Sequence, residues 1–240
     1  MIKLVSTRDK NYQDVLETRY ATYSLILRHK SQQSALKKVS EFCHYDKHSV
    51  VLVKYVSDFP VGTIRATFRN PQRGEYLELE KNGIMPIATL LRHNPNIVEL
   101  SRFGVIKDYR RSKKIMFELL TACLPYLKQK KVKYLTYKCS SLHIDLHQSL
   151  GFIISKNEII KDPVFGNFRI GYIKAYGPRW FFVSNYWRLC SYCPCFYRHR
   201  EEITKTAKKS PYVITFTIFL KILFIGGVVH ILSLYLNGLH

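Results

Sequence analysis

The sequence predicts an α/β (α+β) fold, a mixed central sheet flanked by helices, followed by one C-terminal helix long enough to cross a membrane. Three observations predict it. Segments with helical spacing of apolar residues alternate with β-branched runs across residues 11–176. Two adjacent β-branched runs separated by a turn form a hairpin. The stretch 211–236 is almost wholly apolar.

The elements follow in order. Residues 11–30 carry Val15, Leu16, Tyr20, Tyr23, Leu25, Ile26 and Leu27 at helical spacing. Residues 50–56 are a β-branched strand, Asp58-Phe59-Pro60 is a turn, and 61–68 is the returning strand. Residues 70–80 are polar and read as a loop. Residues 96–106 form a third strand. Residues 112–128 form a helix whose apolar stripe is Ile115, Met116, Leu119, Leu120, Cys123 and Leu124. A strand at 132–139 is followed by a short helix at 144–150, stopped by Gly151. Residues 152–155 and 168–176 close the sheet. No internal repeat is visible.

The chain has 240 residues and a formal net charge of +21. The excess is regional: residues 101–200 hold 19 Lys/Arg against 5 Asp/Glu, residues 1–100 only 15 against 10. Such a bias implies an acidic partner: a carrier protein, anionic lipid or nucleic acid. No nucleic-acid motif is present, which argues against the last. Cys43, Cys123 and Cys139 are scattered and read as small core residues. No disulfide framework and no signal peptide are evident, so a reducing, cytoplasmic domain is expected.

As a helix, 211–236 would be about 37 Å long, enough to span a hydrocarbon core of about 30 Å with some tilt. Lys221 and His230 are its only Lys, Arg, His, Asp or Glu. A central lysine costs about 2.5–3.5 kcal/mol, which the Ile, Leu, Val and Phe around it offset. The preceding flank, 198–209, is basic, whereas 237–240 holds no Lys or Arg. The positive-inside rule then expects a single-pass anchor with the domain in the cytoplasm. The bland alternative is a buried or interfacial helix. Residues 180–197 hold eight aromatics beside Arg188, a composition suited to headgroups. Cys190, Cys193 and Cys195 are open to palmitoylation, to zinc binding with His199, or to neither. The expected organisation is a domain at 1–178, a juxtamembrane segment at 179–210 and a transmembrane helix at 211–236.

Two stretches carry a resemblance. LHQSLGF at 146–152 resembles the GNAT signature of a short helix ending in Leu-Gly-Phe before a strand. VELSRFGVIKDYRR at 98–111 resembles the GNAT central strand running into its cofactor-binding turn. It is similar to the bacterial N-acyl amino acid synthases and the related acyl-homoserine-lactone synthases, in which Glu-x-Ser-Arg is a hallmark. Arg19 with Tyr23, Tyr45-Asp46, and Gly62-Thr63-Ile64-Arg65 agree with that resemblance in order and spacing. It covers roughly 1–176 and implies a GNAT-like N-acyltransferase.

Two departures refine it. The lactone synthases have a second acidic residue three before the one matching Asp46; here Cys43 stands there, which disfavours a reaction that must hold cationic S-adenosylmethionine. Acetyltransferases place small residues in the turn that holds the pyrophosphate of coenzyme A; counted from Arg110, those places hold Lys113 and Ile115. A donor on an acyl carrier protein has one phosphate and needs less of that turn. Arg110, Arg111, Lys113 and Lys114 form a basic cluster suited to such a carrier and its phosphopantetheine, or else a solvated or lipid-facing surface.

N-acylation needs a neutral amine, a proton acceptor and a stabilised oxyanion. Glu99 is either the group that polarises or deprotonates the amine or an ion-pair partner of Arg102 or Arg65, and the two roles are compatible. Arg65 and Arg102 pair with Glu99 or hold the carboxylate of an amino-acid acceptor. Ser101 hydrogen-bonds the acceptor or packs. A backbone amide between Phe103 and Val105 is the expected oxyanion donor, with Phe103 lining the substrate. Arg19 and Asp46, with Tyr23, order an N-terminal lid or form a structural ion pair. Tyr134 and Tyr137 read as core residues before leaving-group acids. No bound cofactor and no metal are expected; acyl carrier protein or acyl-CoA is the co-substrate. A bilayer anchor suits a long-chain acyl product. The expected function is transfer of a long acyl group from carrier protein to an amine or amino acid. The alternatives are a CoA-dependent N-acetyltransferase and a non-catalytic membrane-tethered GNAT-like binding module.

Overall fold

The computed structural model describes residues 1–24, 43–81, 96–110, 113–140, 144–149, 152–155, 159–162, 166–175, 184 and 187–188. The chain divides into two compact units, Met1–Pro194 and Cys195–His240; every described residue belongs to the first. The apolar segment 211–236, Arg111, Gly151 and the cysteines at 190, 193 and 195 lie outside the described residues. Among the described residues, no helix is long and apolar enough to cross a membrane.

Strand β1 (Ile2–Val5) precedes helix α1 (Tyr12–Tyr23). A 3-10 turn, His44–His48, leads into the hairpin of β2 (Ser49–Val56) and β3 (Phe59–Phe68). A 3-10 turn at Pro71–Arg73 and a one-turn helix, α2 (Glu78–Lys81), precede the central strand β4 (Ile97–Val105). Then come a 3-10 turn (Lys107–Tyr109), helix α3 (Lys114–Gln129), β5 (Tyr134–Ser140) and α4 (Ile144–Ser149). Short strands β6 (Ile153–Ile154) and β7 (Ile160–Asp162) and the long β8 (Gly166–Lys174) finish the sheet.

The strands make one mixed sheet in the order β1-β2-β3-β4-β5-β8-β6, with β7 beside β8. All neighbours are antiparallel except β4 and β5, which are parallel. The mixed sheet and its helices agree with the sequence reading. Two strands escape that reading: β1 is four residues long, and β7 is three. The polar stretch 70–80 is not wholly a loop, because α2 begins at Glu78.

Helix pairs settle which residues share the site. Val51, Val53 and Tyr55 of β2 pack with Tyr12, Val15 and Leu16 of α1. The alternate residue Lys54 instead reaches Glu118 of α3 at 2.7 Å. The two helices therefore cover opposite faces, as the two-residue period of a strand requires. The α3 stripe read from sequence is buried, together with Phe117 and Leu127. A glycine is needed on each side: a Cβ on Gly62 would sit 3.0 Å from Ile115 of α3, and one on Gly104 would sit 2.6 Å from Thr22 of α1. Gly104 is what lets α1 lie directly on the central strand.

Candidate active site

Directly paired residues on neighbouring strands share a face. Arg65 of β3 pairs with Val51 on one side and Ser101 on the other, while Thr67 pairs with Ser49 and Glu99. Arg65, Glu99 and Ser101 thus lie together on the α1 face. The 3-10 turn before β2 brings Asp46 to the same place, and α2 brings Glu78 there.

Burying charge in this layer is costly unless each charge is paired. The side chains of Arg19 and Asp46 are both 0% exposed and form a forked pair, 2.6 Å and 3.1 Å. Tyr12 donates its hydroxyl to the same carboxylate. Arg65, also 0% exposed, donates Nε to Ser101 Oγ at 2.9 Å, Nη1 to Asp46 and to Cys43 Sγ at 3.2 Å each, and Nη2 to Glu78 at 2.5 Å. Its guanidinium also lies 5.5 Å over the Tyr45 ring. Burial works against the Asp46 carboxylate, but Arg19 and then Arg65 outweigh it and hold its pKa below the ordinary value. Glu78 is the same: burial opposes its charge, yet Arg102, Arg65 and Lys138 lower its pKa.

Glu99 is the exception. It is 1% exposed, and its Oε2 accepts a hydrogen bond from the Leu79 backbone N–H at 3.0 Å. Neither Arg65 nor Arg102 forms an ion pair with it, so the pairing expected from sequence goes to Glu78 instead. Burial, reinforced by the charge of Glu78, raises its pKa to about 7. A carboxyl poised there exchanges protons near neutrality.

The site sits where two parallel strands part. β4 and β5 pair at three positions, ending at Glu99–Thr136, although β4 continues to Val105 and β5 to Ser140. On its other side, β4 carries a bulge. Thr63 opposes Gly104 and Arg65 opposes Ser101, so Arg102 and Phe103 together face Ile64. Arg102 adopts a left-handed φ of 49°, a conformation costing about 1–3 kcal/mol in a non-glycine residue. The bulge aims its guanidinium at Glu78, 3.6 Å away. Lys138, on β5, reaches the same oxygen at 3.9 Å. Phe103 is half-buried within the bulge.

The remaining sequence candidates fall in three places. Tyr23 ends α1 and is half-buried. Arg110 donates Nε to the Val105 carbonyl at 2.6 Å and Nη2 to the Thr22 carbonyl at 3.2 Å. It ties the end of β4 to the end of α1, so its guanidinium is committed internally. Lys113 caps α3 in the left-handed region, φ 56°, and Lys114 is exposed at its first position. Tyr137 is one residue beyond Thr136 and so points to the other face. It is 6% exposed and packs on His147 and Phe152, each at 4.5 Å. Tyr134 pairs with Ile97 at the start of β4, away from the parting. Tyr137 is a core residue, as expected from sequence, whereas Tyr134 is only half-buried.

Sequence reasoning missed Glu78, Lys138 and Tyr12. The signal for Glu78 was an acidic run, Glu75, Glu78 and Glu80, in a strongly basic chain. Among the described residues, no group of three or more His, Cys, Asp or Glu is placed to hold a metal.

Residues 18–120 match the family model described as an acetyltransferase (GNAT) domain. Three of the solved structures that share the architecture illustrate it. One is FeeM, an N-acyl amino acid synthase from uncultured soil microbes, with 12% identity, a TM-score of 0.53, and coverage of 72% of this chain and 89% of that one. A second is BjaI, a CoA-dependent acyl-homoserine lactone synthase solved with SAM and isopentyl-CoA, with 16% identity, a TM-score of 0.54, and coverage of 78% and 89%. A third is the AHL synthase LasI, with 16% identity, a TM-score of 0.50, and coverage of 72% and 88%. At these identities the likeness is one of fold. No curated protein matches in sequence.

Proposed function

We propose that this chain, an acyltransferase by its GNAT domain, moves a long acyl group from the phosphopantetheine thioester of an acyl carrier protein to the α-amine of an amino acid. One observation carries the reading: a buried carboxyl, Glu99, without an ion pair to any guanidinium among the described residues and with its pKa pushed up to about 7 by burial, at the level where β4 and β5 separate. Unpaired strand edges offer amide donors and acceptors, and the pantetheine arm is itself a chain of amides that such an edge can hold.

In the reaction the amine nitrogen attacks the thioester carbonyl. The new C–N bond forms as Glu99 takes the amine proton, and the oxyanion rests against backbone N–H between Phe103 and Val105. The C–S bond then breaks, and the pantetheine thiol leaves with a proton. Arg65, Asp46 and Arg19 do not touch the reacting atoms; they hold Ser101, Glu78 and α1 around them. The lack of small residues at 113 and 115 supports a carrier-bound donor over free coenzyme A. The description of FeeM as an N-acyl amino acid synthase supports the acceptor class. In this reading 211–236 tethers the domain to the cytoplasmic side of a bilayer, where a long-chain product partitions at about 0.8 kcal/mol per buried CH₂.

The test is mass spectrometry of lipid extracts from cells making the full chain or its Glu99→Gln variant. A new N-acylated amine made only by the unmodified chain supports the reading and identifies acceptor and chain length. No new species from a folded, membrane-bound chain overturns it. Turnover of acetyl-CoA in place of an acyl carrier would assign the donor to coenzyme A.

A further inference from the structure

We propose that Arg102 and Lys138 form a receptor for one carboxylate of the acceptor, and that Lys138 is a specificity residue selecting amines that carry it. The inference rests on the acyl-transfer reading above. Arg65, which shares Glu78 with them, is not available for the task. Its side chain is 0% exposed, and its Nε, Nη1 and Nη2 are all engaged by Ser101, Cys43, Asp46 and Glu78.

Arg102 and Lys138 are differently placed. Among the described residues, the one carboxylate both reach is Glu78 through Oε1, at 3.6 Å and 3.9 Å, beyond ordinary hydrogen-bond length. Their side chains are 14% and 23% exposed, so a ligand can approach. Arg102 Nε is buried without a hydrogen-bond partner, and a buried N–H donor left unmade is costly. Glu78 meanwhile is held on Arg65 through its other oxygen, Oε2. An incoming carboxylate can therefore take the place of Oε1 without releasing Glu78 from the layer.

Charge counting points the same way. Among the described residues, Arg19, Arg65, Arg102 and Lys138 face Asp46, Glu78 and Glu99, so four cations meet three carboxyls even with all of them ionised. A carboxylate on the acceptor supplies the missing negative charge.

Position supplies the last argument. Lys138 lies two residues past Thr136, the partner of Glu99, or about 7 Å along the strand. The bulge turns Arg102 toward the same point. Arg102 and Lys138 thus converge on Glu78 Oε1 in the same layer as Glu99, so one acceptor can meet a proton acceptor and a cationic pair from neighbouring positions.

The experiment is equilibrium binding of N-myristoylglycine and its neutral isostere N-myristoylglycinamide to the full chain in detergent micelles. The unmodified chain should bind the acid at least about 10-fold tighter, the contribution of one charge-assisted hydrogen bond. Lys138→Gln should bring the acid down to the amide's affinity while leaving the amide unchanged, and Lys138→Arg should keep the preference. Equal binding of acid and amide by the unmodified chain, or a preference that survives Lys138→Gln, overturns the inference. Thiol release from an acyl-carrier donor with a carboxylate-free amine reports on transfer separately. Transfer without acid preference removes only this inference. A Lys138-dependent preference without any transfer removes only the reaction.

Discussion

The Glu99 carboxylate accepts the backbone N–H of Leu79 at 3.0 Å and makes no ion pair among the described residues, although Arg65 and Arg102 lie in the same layer. Both arginines turn to Glu78 instead. Glu99 is therefore buried with a single neutral donor, and burial raises its pKa while its neighbours stay ionised.

Glu99→Gln keeps an acceptor for the Leu79 amide but cannot take a proton. Acyl transfer, followed as thiol release, should fall by about 10²–10⁴-fold, the usual contribution of general-base catalysis. The thermal midpoint should hold or rise, since an amide does not carry the buried charge. A variant retaining full turnover would show that Glu99 is structural.

The pH dependence follows from the same group. The base form of Glu99 is ionised, so kcat/KM should fall about tenfold per unit below its pKa of about 7. A weakly basic acceptor such as methoxyamine isolates this limb, because its own titration lies well below the range. Stability runs the other way. The folded pKa exceeds the ordinary 4.5, so the contribution of protonated Glu99 is complete below about 4.5 and is lost as pH rises through 7. Denaturant midpoints at pH 5 and pH 8 should therefore differ more in the unmodified chain than in Glu99→Gln. Asp46 and Glu78, with depressed pKa values, contribute above their ordinary values and lose that contribution as acid is added.

Asp46→Asn removes the charge shared by Arg19 and Arg65 and leaves two fully buried guanidinium groups without it. Breaking a buried pair this way costs about 3–5 kcal/mol, read as a fall in the urea midpoint. Pairing it with Arg19→Met should recover part of the loss, because the stranded charge is gone. Additive losses in the double variant would mean that the two residues are not coupled.

Gly104→Ala places a Cβ against the Thr22 side chain, whose Cγ2, Oγ1 and Cβ lie 2.6, 3.0 and 3.1 Å away. Such overpacking costs about 1–3 kcal/mol. Thr22→Ala removes the two nearest atoms and should relieve most of it in the double variant. If Thr22→Ala gives no relief, the cost lies in the β4 backbone and not in the helix contact.

Much of this molecule was legible in the amino-acid order alone. Helical spacing marked α1 and the buried stripe of α3, and β-branched runs marked the β2–β3 hairpin, because side-chain period is a local property of regular backbone. The Glu-x-Ser-Arg run of β4 drew attention to Glu99, Ser101 and Arg102, and Asp46 was read beside Arg19. What tertiary structure alone decided is who pairs with whom. Glu78 lies in a stretch with no periodicity, Lys138 on a strand where only the tyrosines drew comment, and Arg110 in a turn read as a docking surface. Each has a partner far along the chain (Arg102 and Lys138 for Glu78, Thr22 for Arg110), and such pairing depends on distance in space and on the loss of water, neither of which leaves a mark in local sequence. The bulge at Arg102 and the parting of β4 from β5 at Glu99 belong to the same class: each is set by neighbouring strands, and together they turn a run of recognisable residues into a site.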